Sequence, residues 1–280
     1  MKKISVFSSL PLSVVCVLSL MTCVVRAQLS GSLTNGLVGY WLLNGNGNDS
    51  LSTNNLSDVS TGASYGTNRF GASSSAIVFP NSSDYAYSEG NTGISGNQHF
   101  TVSLWLNQFS SVTGPGRSVI AFGDASRPGG VNDILIMPQD WNGGGVWVWQ
   151  HYAGIQANDL GNPFVGGWNN LVYVYDGSVS SSHFYINGLP AVMDNRTEVT
   201  TDVLDIVATP LRLGYWSNST ATQIGLDGWS LDDIGLWSRA LSPTEVTDLY
   251  SAQVVPEPST YALLLLSGAA SLFALRRRKN

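Results

Sequence analysis

The stretch WNNLVYVYDGSVSSSHFYINGLPA, residues 168–191, decides the fold. A run rich in Val and Tyr ends in a turn at Asp176-Gly177, and a second apolar run follows. Asn187-Gly188 then sits between two apolar runs, the strongest short-range signal for a β-hairpin. Working outward, FTVSLWLNQF alternates, with Phe100, Val102, Leu104 and Leu106 on one face and Thr101, Ser103, Trp105 and Asn107 on the other. GVWVWQHY from Gly145, LRLGYWS from Leu211 and GWSLDDIGLW from Gly228 read as further strands. Gly, Asn, Ser and Asp fill the gaps. Many short strands joined by such turns predict an all-β sandwich or jelly roll.

One helix is expected. In LSPTEVTDLYSA, Ser242 is the N-cap, Pro243 stands at the first helical position and Glu245 follows three residues after the cap. That is a capping box with an N1 proline. Val246, Leu249 and Tyr250 share a face, so the helix should be about three turns or fewer and should close the domain.

The two ends differ from this body. Lys2 and Lys3 precede a mostly apolar stretch to Val25, and Val25-Arg26-Ala27 places short residues at −3 and −1. A secretory signal over residues 1–27, cut after Ala27, is expected. A retained anchor and lipoprotein processing at Cys23 are the alternatives. Cys16 and Cys23 both fall inside that signal, so the mature chain would carry no disulfide, thiol nucleophile or cysteine metal site. From Gln28 to Val255 there are 18 acidic and 6 basic residues, a balance of −12, and no lysine. Such a body argues against nucleic acid or anionic lipid as partner.

The chain ends VPEPSTYALLLLSGAASLFALRRRKN. The 15 residues from Tyr261 to Leu275 carry no charge. As a helix they span about 22 Å, short of a hydrocarbon core of about 30 Å but within reach of thinning and snorkelling. The basic cluster should stay cytoplasmic. The prolines make 252–258 an extended linker, followed by a membrane segment over 259–280. Pro256-Glu257-Pro258, the apolar span and Arg276, Arg277 and Arg278 together resemble the PEP-CTERM sorting domain of Gram-negative bacteria. The resemblance implies an exosortase-type membrane enzyme as partner and cleavage near the motif. It also implies an inner-membrane intermediate, then delivery to the envelope or an extracellular matrix.

The body, 28–251, resembles the LamG-like, concanavalin A-like jelly roll. LVGYWLLNGNGNDS is similar to that family's opening strand and loop, FTVSLWLN to a central strand, and the 168–191 stretch to its strand and hairpin pair. LDGWSLDDIGLWSRALSPTEVTDLY is similar to its last strand and closing helix. The expected fold is therefore an all-β, concanavalin A-like jelly-roll sandwich with one short closing helix, followed by a single transmembrane sorting helix.

Catalysis is not expected. Relatives that hydrolyse glucans need two close carboxylates. The only glutamates of this body are Glu89, Glu198 and Glu245, and Asp232 and Asp233, being adjacent, should point to opposite faces of a strand. His99, His151 and His183 lack metal-ligand spacing. Carbohydrate or polysaccharide binding is one reading: Trp147 and Trp149 share a strand face, with Trp141, Tyr152 and Trp216 as possible neighbours. The alternatives are that these rings are core, and that the protein is structural or adhesive with no small ligand. The resemblance also implies one structural calcium, with Asp232 at the matching place. Asn44, Asn46, Asn48 and Asp49 form an oxygen-rich loop suited to a hard cation, although Asx-Gly runs also build plain turns.

Overall fold

The computed structural model describes residues 29, 31–81, 83–108, 118–124, 133–137, 146–150, 155–158, 166–179, 181–191, 203–214 and 228–254. The expected signal, the Pro-Glu-Pro linker and the membrane segment lie outside them. The chain divides into two compact units. Of the unit formed by Met1–Thr34 and Ser251–Asn280, the described part includes a 3-10 turn, Gly31–Thr34, and the last residues of the closing helix.

Asn35–Tyr250 is the sandwich. Its fifteen described strands are β1 (Leu37–Trp41), β2 (Leu56–Val59), β3 (Ser64–Gly66), β4 (Ala76–Phe79), β5 (Ala86–Asn91), β6 (Phe100–Gln108), β7 (Ile120–Gly123) and β8 (Asp133–Met137), then β9 (Val146–Gln150), β10 (Ile155–Asn158), β11 (Asn169–Asp176), β12 (Ser181–Ile186), β13 (Leu189–Pro190), β14 (Pro210–Leu213) and β15 (Trp229–Trp237). Eight strands form one sheet, in the order β13-β12-β11-β6-β15-β4-β3 with β1 also paired to β15. Seven form the other, in the order β10-β9-β8-β7-β14-β5-β2. Every pairing within the two sheets is antiparallel, as short turns allow. The inward side chains of both sheets meet in one apolar core that includes Phe100, Leu104, Ile120, Phe122, Leu171, Tyr173, Leu213 and Trp229.

The 168–191 stretch folds as expected. β11 and β12 pair from Leu171↔Ile186 to Asp176↔Ser181, and β12 turns back through Asn187-Gly188 into β13. Both turn residues have positive φ, +52° and +75°, the condition that favours Asn-Gly in a two-residue hairpin. Asn187 is held further: its N–H donates to Asn170 O at 3.0 Å and its Oδ1 accepts from Asn170 N at 2.9 Å. A Cβ on Gly188 would come within 2.9 Å of Tyr250 Cβ, so glycine also admits the closing helix.

That helix, α1 (Pro243–Gln253), carries the expected capping box. Glu245 N–H donates to Ser242 Oγ at 3.3 Å, and Ser242 N–H donates to Glu245 Oε2 at 2.9 Å. Arg239 grips the same carboxylate with both Nη atoms, at 2.9 and 2.7 Å. Val246 and Leu249 are fully buried, and Thr247 Oγ1 donates to Gly188 O at 3.1 Å. Tyr250 stacks on Trp105 of β6, with centroids 5.8 Å apart. The second face of β6, Thr101, Ser103 and Trp105, is thereby as buried as its core face.

Candidate functional site

Asp232 and Asp233 do not point to opposite faces. Asp232 pairs with Trp105 and Gly235 with Ser103, so β15 uses three steps where β6 uses two. This β-bulge adds one residue, and Asp233 absorbs it at φ +44°. Trp229, Leu231, Ile234 and Leu236 all stay in the core, while both carboxylates turn toward one guanidinium. Arg69, from the β3–β4 connection, donates from Nη1 to Asp232 Oδ2 and from Nη2 to Asp233 Oδ2, the latter at 2.6 Å. Arg69 Cζ lies 4.3 Å from the Phe70 ring centroid and 4.6 Å from that of Trp105. Burial pulls the Arg69 pKa down, but the charges of Asp233 and Asp232 outweigh it and the net shift is upward.

These residues do not fit the expected calcium. Asp232 Oδ2 takes the guanidinium and Oδ1 takes the Asp233 N–H at 3.0 Å. A metal ion there would sit against a positive charge. Asp49 is similarly engaged. Its Oδ1 accepts from Tyr40 N and Leu51 N, both at 3.0 Å, and its Oδ2 accepts from Ser52 Oγ at 2.5 Å. Asn46 Oδ1 accepts from Asn48 N, so the Asn-Gly loop fastens itself as an Asx turn. Among the described residues, no three His, Cys, Asp or Glu side chains are placed to hold a metal ion. His99 instead meets Asp176 at 2.9 Å on the surface.

The outward face of the seven-stranded sheet has another character. Cross-strand pairing joins Trp149 to Leu135, Leu135 to Ala121, Ala121 to Arg212 and Arg212 to Tyr87. These positions alternate with Ile134, Ile136, Ile120, Phe122, Leu213 and Ala86, which face the core. Trp147 stands opposite Met137 in the same alternation. Tyr85 and Tyr87 are half-buried neighbours, with ring centroids 4.9 Å apart, and Glu89 beyond them is exposed. The Arg212 guanidinium is anchored on Gly123 O at 2.5 Å. Trp141, Tyr152 and Trp216 lie outside the described residues.

Residues 80–247 match the family described as the concanavalin A-like lectin/glucanases superfamily. The chain belongs to that superfamily. Its concanavalin A-like fold is also that of domain 4 of AbnA, a GH43 extracellular arabinanase from Geobacillus stearothermophilus solved with arabinotriose. The TM-score there is 0.58 at 21% identity, over 76% of this chain and 98% of that one. Trypanosoma rangeli sialidase in complex with sialic acid matches with a TM-score of 0.55 at 15% identity, over 85% of this chain. The match spans only 39% of the sialidase. No curated protein matches the chain. Residues 254–279 match the PEP-CTERM protein-sorting motif, which contains Pro256, Glu257, Pro258 and Arg276, Arg277 and Arg278. That motif marks a protein exported through a membrane-anchored intermediate to the cell envelope or extracellular space and processed by an exosortase.

Two features of this concanavalin A-like domain escaped the sequence reading. Arg69 was legible only as one of six arginines in a body without lysine. The Tyr85-x-Tyr87 alternation in DYAYSEG was a usable signal for a one-faced aromatic pair.

Proposed function

We propose that the exported domain binds carbohydrate of an extracellular polysaccharide matrix on the outward face of the seven-stranded sheet, without hydrolysing it. The supporting observation is the cross-strand row Trp149–Leu135–Ala121–Arg212–Tyr87, whose positions alternate with core residues. Tyr87 and the strand that contains Trp147 and Trp149 belong to this one sheet, and aromatic rings presented there would stack against the apolar faces of sugars. The arabinotriose bound by the similar arabinanase domain points the same way. Among the described residues, Asp232 and Asp233 are bound to Arg69 and Glu245 is bound in the helix cap to Arg239, so these three carboxylates are engaged rather than free for hydrolysis.

A glycan array of the purified full-length protein tests this, followed by titration of the best ligand against W147A/W149A. Loss of tenfold or more in affinity, about 1.4 kcal/mol, with an unchanged unfolding midpoint is expected. Binding that survives the double substitution removes the site. Failure to bind any glycan favours the structural or adhesive reading, and turnover of a glycan overturns the non-catalytic one.

A further inference from the structure

A left-handed non-glycine residue and a buried double carboxylate occur at one place in the sandwich. A bulge in the central strand β15 turns Asp232 and Asp233, successive residues, toward a single point, and Asp233 holds φ +44° to do so. Left-handed backbone at a non-glycine residue persists only where the surroundings over-determine it. Both side chains are 2% exposed. Two carboxylates buried together repel each other and lose their hydration, so the point between them demands a cation. An internal side chain meets that demand.

We propose that the Arg69 guanidinium is a built-in substitute for a structural metal ion. It bridges Asp232 and Asp233 as a divalent cation would, and it holds the bulge without calcium. The planar fork suits this role better than an ammonium, because two Nη donors reach two separate carboxylates at once. Phe70 and Trp105 lie against the guanidinium and keep it from leaving. Unlike a free ion, this cation is tethered to the β3–β4 connection, so it also fastens that connection to the outer side of the eight-stranded sheet. The site is filled in every medium, whatever its calcium content.

The test is thermal unfolding of the full chain and of R69M, each in chelator and in millimolar calcium. The wild-type midpoint is expected to be the same in both media. R69M, which keeps an unbranched apolar stem and removes the guanidinium and its charge, should lose about 10 °C in chelator. Calcium should restore part of that loss, and R69M/D233N should show no restoration. If R69M fails to fold in chelator, the same comparison is read as recovery of folded protein on refolding with and without calcium. A wild-type midpoint that falls on chelation overturns the proposal, as does an R69M protein that calcium neither stabilises nor helps to refold.

Discussion

The two sheets of the sandwich are built from similar residues but are used differently. In the eight-stranded sheet every residue of β15 is buried, the bulge carboxylates included, because α1 and the Arg69 connection cover its second face. In the seven-stranded sheet β7 is buried throughout, Ala121 included, but β14 alternates buried with half-buried residues and β5 carries the exposed Glu89. A face that is covered gains cohesion and loses access. A face left partly open keeps polar and aromatic groups in reach of a ligand at some cost in stability.

The sharpest way to break this contrast is a matched pair of truncations. Trp229→Ala in β15 should cost about 3–5 kcal/mol, since a fully buried ring leaves a cavity under two layers. Tyr87→Ala on the open face should cost about 1 kcal/mol or less. Urea unfolding of both measures the difference, and equal losses would show that the two sheets are equally sealed.

The covering of the first sheet can be loosened next. Gly188→Val combines a left-handed backbone with a clash against Tyr250, and should cost about 2 kcal/mol. Ser242→Ala removes one half of the capping box and should cost about 1 kcal/mol by the same measurement. If Ser242→Ala proves as damaging as Gly188→Val, the helix is held by its cap more than by its seat on the hairpin.

The smallest effect belongs to the surface. Hydrogen bonds from Ser178, with a lesser part from His99, hold the Asp176 carboxyl below the usual carboxylate range. Its contribution is present above the unfolded pKa and is lost as pH falls through the lower folded value. Asp176→Asn should remove a few tenths of a kcal/mol at neutral pH and nothing at strongly acid pH. A stability profile against pH for the two proteins checks it.

Much of this architecture was readable in the chain. Asn187-Gly188 carried the hairpin because its turn type demands positive φ, and Ser242-Pro243-x-Glu245 carried the helix because its cap is local. Strands such as β7 and β10 were not picked out, since four residues give little periodicity. The expectation that Asp232 and Asp233 point to opposite faces failed for a physical reason. Strict alternation separates Asp232 from Asp233, and only the bulge, with Arg69 arriving from 163 residues away, brings their carboxylates together. Long-range partnership of that kind leaves no periodic trace.

The position of β15 bears on when the body can fold. This last strand lies between β6 and β4, and it also pairs with β1, the first strand, through Leu37↔Trp237, 200 positions apart (237 − 37). Until residues 229–237 arrive, β1 lacks its partner strand among the described strands, and β6 and β4 have a gap between them. Closing loops of that length is entropically costly and slow. A chain that crosses a membrane with its beginning first therefore cannot assemble its central sheet until nearly all of the body has passed. The topology thus makes closure of the eight-stranded sheet wait for its last strand.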